Sequence, residues 1–159
     1  DFSLAQDIGV SRQEAKQYIE SYLNKYSGVK NYMTAVVEGA KKNGYVSTLM
    51  GRRRPVPEIA SKNFNIRSFG ERVAMNAPIQ GTAADLIKLA MVRVYDRLKK
   101  EKMKAKLVLQ IHDELIIEAP EEEAERAEQI LCQEMMGAAQ LDVPLVADAH
   151  TGKSWYEAK

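Results

Sequence analysis

From Ser11 through residue 43 apolar positions recur every three or four places, the period of a helix with one buried face. Ser11 followed by Glu14 forms a capping box, in which each side chain can hold the other residue's backbone amide. A helix is therefore predicted from that point to about Tyr26, with Gly28 as its break. A second helix carries Val29, Tyr32, Met33, Val36, Val37 and Ala40 on one face and closes at Asn43-Gly44. Tyr18, Tyr22, Tyr26 and Tyr32 fall at helical spacing and read as core rather than as a stacking platform.

The period then changes. Tyr45 to Leu49 reads as a strand, Gly51 as a turn and Arg54-Pro55-Val56-Pro57 as an extended return, which together make a β-hairpin tipped with arginine. Ser61 can cap a helix running to about Asn76. Pro78, which has no amide proton, should break or kink that helix near Ala77. Thr82 with Asp85 then caps a second long helix, Ala83 to about Lys102, whose buried stripe is Leu86, Leu89, Ala90, Val94 and Leu98. Next comes LVLQIHDELIIEAP (107–120), a strand, a polar turn and a second strand. Simple alternation puts Leu107, Leu109 and Ile111 on one face of the first strand. Pro120 and the glutamates after it open a helix to Met136, and Val143 to His150 reads as a last strand. The expected class is α+β, with long helices packed on a small antiparallel sheet.

Composition narrows this picture. A chain of 159 residues that is 45% hydrophobic and 28% charged has the makeup of a globular domain able to bury a core. No apolar run approaches the roughly 20 residues needed to span a bilayer. The start, DFSLAQDIGV, has neither a basic lead nor an apolar signal core, so a cytoplasmic location is expected and no membrane partner. It also reads like the middle of a protein, so a fragment or excised domain is expected. The single Cys132 cannot form an internal disulfide and reads as a packed thiol. Net charge is +1, yet residues 41–72 hold eight Lys/Arg against two acids, and residues 118–134 hold seven Glu against Arg126. Such asymmetry lets one face meet a polyanion.

Three stretches could carry chemistry. At the HDE turn, Asp113 and Glu114 are adjacent carboxylates that repel unless water or a cation neutralises them. Hard oxygen donors at a sheet edge suit Mg²⁺. A plain polar turn explains the same residues, and on spacing alone it is the readier reading. In RSFGERVAMNAPIQGTAAD, Arg72 and Asn76 stand at i and i+4, with Arg67 before them and Gln80 just beyond Pro78. Such donors can read minor-groove acceptors and phosphates, while a solvated face with an Arg67–Glu71 pair remains the alternative. The run Arg52-Arg53-Arg54 is explained equally by phosphate binding and by surface solubility. No zinc spacing, G-x-S-x-G, Walker loop or G-x-G-x-x-G is present.

Together GRRRPVPEI (51–59), RSFGERVAMNAPIQGTAADLIKLAM (67–91), LQIHDELIIEAP (109–120) and DVPLVADAHTGKSWYEAK (142–159) resemble the C-terminal part of a family A DNA polymerase, the bacterial DNA polymerase I type. The resemblance runs in order over essentially the whole chain. It implies a DNA-directed DNA polymerase of replication and repair, with residues 1–60 from the end of the fingers and 61–159 as a C-terminal part of the palm. Asp113 would be a palm aspartate holding the two catalytic Mg²⁺ ions and Glu114 its auxiliary neighbour. His112 would lie beside the primer terminus, Arg72, Asn76 and Gln80 along the minor groove of the duplex, and Arg67 against DNA. The arginine tip aligns near the fingers without an assigned role. Implied partners are primer-template DNA, deoxynucleoside triphosphates and the remainder of the polymerase chain, with self-association of the fragment through surface that the remainder would cover.

The departures limit what the chain can do alone. It contains no D-x-S-Q-x-E-x-R segment to supply a second metal aspartate, and no fingers R-x-x-x-K helix to meet the triphosphate. A fragment that supplies part of a site and is inactive by itself is therefore expected. A nucleic-acid-binding module without catalysis, an unrelated Mg²⁺-dependent hydrolase and a purely structural α+β domain are the competing readings.

Overall fold

The computed structural model describes residues 1–158. In chain order these form α1 (Phe2–Ile8), α2 (Arg12–Lys25), α3 (Ser27–Asn43), β1 (Tyr45–Ser47) and β2 (Arg53–Pro55), then a 3₁₀ turn over Pro57–Ala60. There follow α4 (Phe64–Lys100), β3 (Lys106–Ile111), β4 (Glu114–Glu118), a 3₁₀ turn over Glu121–Glu123, and α5 (Ala124–Met136). The class is α+β, but the strands form two separate two-stranded antiparallel sheets, β1 with β2 and β3 with β4. The chain falls into two compact units, Asp1–Ile79 and Gln80–Lys159.

In the first unit the Ser11 capping box is complete: Ser11 Oγ accepts from the Glu14 amide at 3.2 Å, and the Glu14 carboxylate accepts from the Ser11 amide at 2.9 Å. The helix break comes two residues before Gly28. Tyr26, at φ −106° and ψ 63°, leaves helical geometry, and Gly28 sits in the first turn of α3. The expected tyrosine core is also absent: Tyr18, Tyr22, Tyr26 and Tyr32 are 55%, 54%, 49% and 40% exposed. On α2 the inward stripe is instead Ala15, Ile19 and Leu23, each four residues from the last, which leaves the tyrosines on its flank. α3 closes as predicted, with Gly44 left-handed at φ 76° and its amide bonded to Ala40 O at 2.8 Å.

The core of this unit is Ala40, Val46, Val56, Ile59, Ala74 and Ala77, mostly small side chains that let backbones approach closely. Gly70 on α4 marks the tightest approach, since a Cβ there would lie 2.7 Å from Ile59 N and 2.9 Å from Glu58 C.

Three expectations about α4 fail together. Asn63, not Ser61, holds its start, its Oδ1 accepting from the amides of Asn65 (2.9 Å) and Ile66 (3.4 Å). Pro78 lies inside the helix rather than ending it, and Thr82 and Asp85 are interior residues rather than a second cap. A proline inside a helix costs about 3 kcal/mol. Burial outweighs it here, because Ala74 and Ala77 enter the first core while Ala90, Val94 and Leu98 enter that of the second unit.

That second core also holds Ala105, Leu115, Ala127, Ile130 and Ala138. Leu89, expected in the stripe, is exposed instead. Arg93 donates to Gly137 O, and Arg97 joins Glu101 (2.6 Å) and Glu134 (3.2 Å). Arg126 reaches Glu101 from α5 at 2.7 Å. These guanidinium bonds, from Arg126 first and then Arg97, hold the Glu101 carboxyl down at about 2. The expected last strand does not form, and residues 143–150 carry no ladder. Alternation alone does not make a strand; it needs a neighbour's amides and carbonyls, and β3 and β4 pair only with each other among the described residues.

Two glycines make this packing testable. Gly70→Ala should lower stability in urea by about 1–3 kcal/mol through overpacking. Gly39→Ala, a mid-helix site on α3 where a Cβ would meet nothing within 4 Å, should raise it by up to about 1 kcal/mol. Glu101's contribution, its folded pKa being depressed, is present above its ordinary 4.5 and lost as pH falls towards 2. Acid unfolding of Glu101→Gln should therefore show a smaller loss of stability across that window than the parent chain.

Candidate functional site

The HDE residues owe their position to how the β3–β4 hairpin is pinned. At its base the Glu123 carboxylate accepts from the Lys104 amide (3.1 Å) and the Ala105 amide (2.9 Å), which fixes where β3 starts. Leu115 enters the core from β4 and anchors the opposite strand. Burying a leucine in this way contributes about 1.5–3 kcal/mol.

The register then determines the tip. Ile111 pairs with Glu114, leaving His112 and Asp113 as a two-residue loop. His112 is left-handed at φ 52°, a geometry that tight hairpins require and that His adopts more readily than most residues. Its carbonyl accepts from Gln110 Nε2 at 2.6 Å, which ties the turn to its own strand. The register shifts between Leu107 and Leu109, so Val108 is an extra residue on β3. That bulge breaks the simple alternation expected there: Leu107 and Ile111 are half-buried, but Leu109 is exposed.

His112, Asp113 and Glu114 are thus brought together at one exposed tip. Among the described residues neither carboxylate has a hydrogen bond or ion pair with the protein. Some acids elsewhere in the second unit are matched: Glu101 and Glu134 by arginines, Glu123 by backbone amides, and Glu122 by Lys104 at 3.8 Å. Adjacent, solvated and unpaired carboxylates are donors for a hard cation. They are too few to complete a site, and no three His, Cys, Asp or Glu side chains among the described residues group to hold a metal. Cys132 lies apart from this chemistry, its thiol pushed up by burial and then by Glu128 and Asp148.

The second set of candidates lies on α4. Arg72, Asn76 and Gln80, spaced four apart, are all exposed, and the buried Gly70, Ala74 and Ala77 lie opposite. Gln80 is the first residue of the second unit, while Arg67, Arg72 and Asn76 belong to the first. Arg72 stands over Phe69, its guanidinium carbon 6.0 Å from the ring centre, and has no carboxylate partner among the described residues. Arg67 does not share this row. It is half-buried, donates to Ser61 O at 3.1 Å, and leaves Glu71 to Lys41 at 3.4 Å, so the Arg67–Glu71 pair does not form. Asn65 and Phe69, also exposed, fall on the Arg72 face. They stand seven and three residues before Arg72, a spacing that helical periodicity puts on one face.

Comparison with known proteins places these residues in context. A model described as DNA polymerase family A matches residues 1–157. DNA polymerase I of Bacillus caldotenax and that of Bacillus subtilis are each 54% identical over all 159 residues. The chain spans only 18% of the length of either relative. A solved structure of the POL domain of Pol1 from M. smegmatis, in complex with DNA primer-template and dNTP, superposes with TM-score 0.93 at 44% identity. That match covers 98% of this chain and 27% of the other.

The turn geometry is itself testable. His112→Val, which puts a β-branched residue at positive φ, should destabilise the second unit by about 1–2 kcal/mol in urea, whereas His112→Gly should cost less. Equal losses would mean that the left-handed turn is not what the histidine supplies.

Proposed function

The chain belongs to DNA polymerase family A, and from that premise we propose that it is part of the polymerase domain of a DNA polymerase I-type enzyme. In the intact protein it takes part in template-directed transfer of nucleotides to a primer 3′-hydroxyl. Residues 1–60 are assigned to the end of the fingers and 61–159 to the palm. The observation that carries the reading is the HDE tip: two exposed, unpaired carboxylates on a hairpin held by the Glu123 cap and by Leu115. Its neighbours in this chain leave that pair for something outside it.

Asp113 and Glu114 fit part of a Mg²⁺ site. Their carboxylate oxygens are the donors this ion takes, and the coordination they leave open suits water, substrate phosphates and a further protein carboxylate. When bound, such ions supply charge neutralisation at the attacking and leaving oxygens of an in-line displacement. The protein's share is placement. The closed two-residue turn fixes both carboxylates relative to β3 and β4, so little reorganisation is needed when the reactants arrive. His112, on the same turn, is assigned to the primer end.

The helix row supplies duplex recognition. Arg72, Asn76 and Gln80 carry the donors that minor-groove acceptors share among sequences, suited to a polymerase that must bind any template. Arg67, already engaged with Ser61 O, acts at most from the flank of that row. The partners on this reading are primer-template DNA, deoxynucleoside triphosphates and the rest of the polymerase chain. The chain alone is inactive, because one hairpin does not assemble a two-ion site. Exposed Phe64, Ile66, Ile79, Val143 and Val146 provide surface through which the isolated piece self-associates.

In the full-length polymerase, Asp113→Asn should lower nucleotide incorporation by roughly 10³-fold or more while primer-template affinity stays near that of the parent. The 159-residue chain by itself should incorporate nothing. Near-normal turnover of the variant, or incorporation by the isolated chain, would overturn the assignment.

A further inference from the structure

We propose that the β1–β2 hairpin is a separate binding site for the phosphodiester backbone of a nucleic-acid strand, with Arg53 and Arg54 as its contacts; the inference rests on the nucleic-acid partner proposed above. The arginine run is the motif that the polymerase reading leaves without a role. β2 carries Arg53 and Arg54 side by side, both exposed, paired in register with Ser47 and Val46 of β1.

Several arginines elsewhere in the chain are matched by carboxylates. Arg12 is paired with Asp1, Arg97 with Glu101 and Glu134, and Arg126 with Glu101. Among the described residues Arg53 and Arg54 have no carboxylate partner. The acids nearest in sequence do not compensate, since residues 41–72 carry eight basic residues against Glu58 and Glu71, and Glu71 is bound to Lys41.

Arg53 is also held in place. Its guanidinium carbon lies 4.7 Å from the ring centre of Tyr45, the diagonal neighbour on the same face of the hairpin. Stacking restrains the planar fork without occupying its N–H donors, so they stay available to phosphate oxygens. A solvated surface needs neither a stacked guanidinium nor the absence of acids. Guanidinium is moreover the group suited to bidentate phosphate contact. The hairpin recognises charge and spacing rather than base identity.

The test is fluorescence anisotropy of the 159-residue chain with a labelled single-stranded oligonucleotide, and separately with a duplex, across a salt series. Each phosphate contact contributes roughly 0.7 to the slope of log affinity against log salt for single strands and roughly 0.9 for duplex. Arg53→Ala/Arg54→Ala should therefore shallow the slope by about 1.4–1.8 with unchanged thermal unfolding, and Arg53→Lys/Arg54→Lys should recover most of it. Arg72→Ala/Asn76→Ala serves as the comparison, lowering affinity while the hairpin's share of the slope persists. A parent chain that binds with a slope the hairpin substitutions leave unchanged overturns this site alone. A parent chain that binds neither oligonucleotide overturns both this site and the nucleic-acid reading beneath it. Arginine-dependent binding to anionic vesicles without binding to nucleic acid overturns it in favour of a membrane surface.

Discussion

One helix underlies both halves of the structure. α4 runs from Phe64 to Lys100 with Pro78 inside it, and each compact unit builds its core on one stretch of it. Ala74 and Ala77 close against Ile59 and Val56, while Ala90, Val94 and Leu98 close against Leu115 and Ile130. Arg72 and Asn76 of the first unit and Gln80 of the second are each exposed on this helix. Losing one backbone bond at the proline is a small cost beside two buried faces, so the helix persists where the local rule would end it.

Small side chains are the other side of this arrangement. The first core is mostly alanine and valine, and at Gly70 even a methyl would collide with backbone. The second core holds larger residues and is framed by a charge network through Arg97, Glu101, Arg126 and Glu134. Glu101 and Glu134 therefore hold structure together, whereas the two carboxylates at the hairpin tip have no partner among the described residues.

Features set within a few residues were legible in the sequence. The Ser11 capping box, the Gly44 helix end and both hairpins follow from short-range hydrogen bonding and turn chemistry. Features decided at long range were not. The tyrosines of α2 match helical spacing, yet the narrower Ala15, Ile19, Leu23 stripe took the inward face. Residues 143–150 alternate like a strand and find no neighbour to pair with among the described residues. The bulge at Val108 is equally silent in composition, since it depends on how β3 meets β4. At the candidate site, periodicity placed Asp113 and Glu114 at a tip, but a plain turn explained them as well. Only the resemblance favours a metal site over a plain turn.

On the proposed reading Asp113 binds a catalytic divalent ion in the intact polymerase. A metal-specificity switch tests it most directly: Asp113→Cys in the full-length protein, assayed on primer-template with Mg²⁺ and then with Mn²⁺ or Cd²⁺. A thiolate is a poor ligand for Mg²⁺ and a good one for softer ions. The variant should show negligible incorporation with Mg²⁺ and substantial recovery with Cd²⁺ or Mn²⁺, beyond any effect of those ions on the parent enzyme. Incorporation with Mg²⁺ close to that of the parent, or the same loss with every ion, would contradict it.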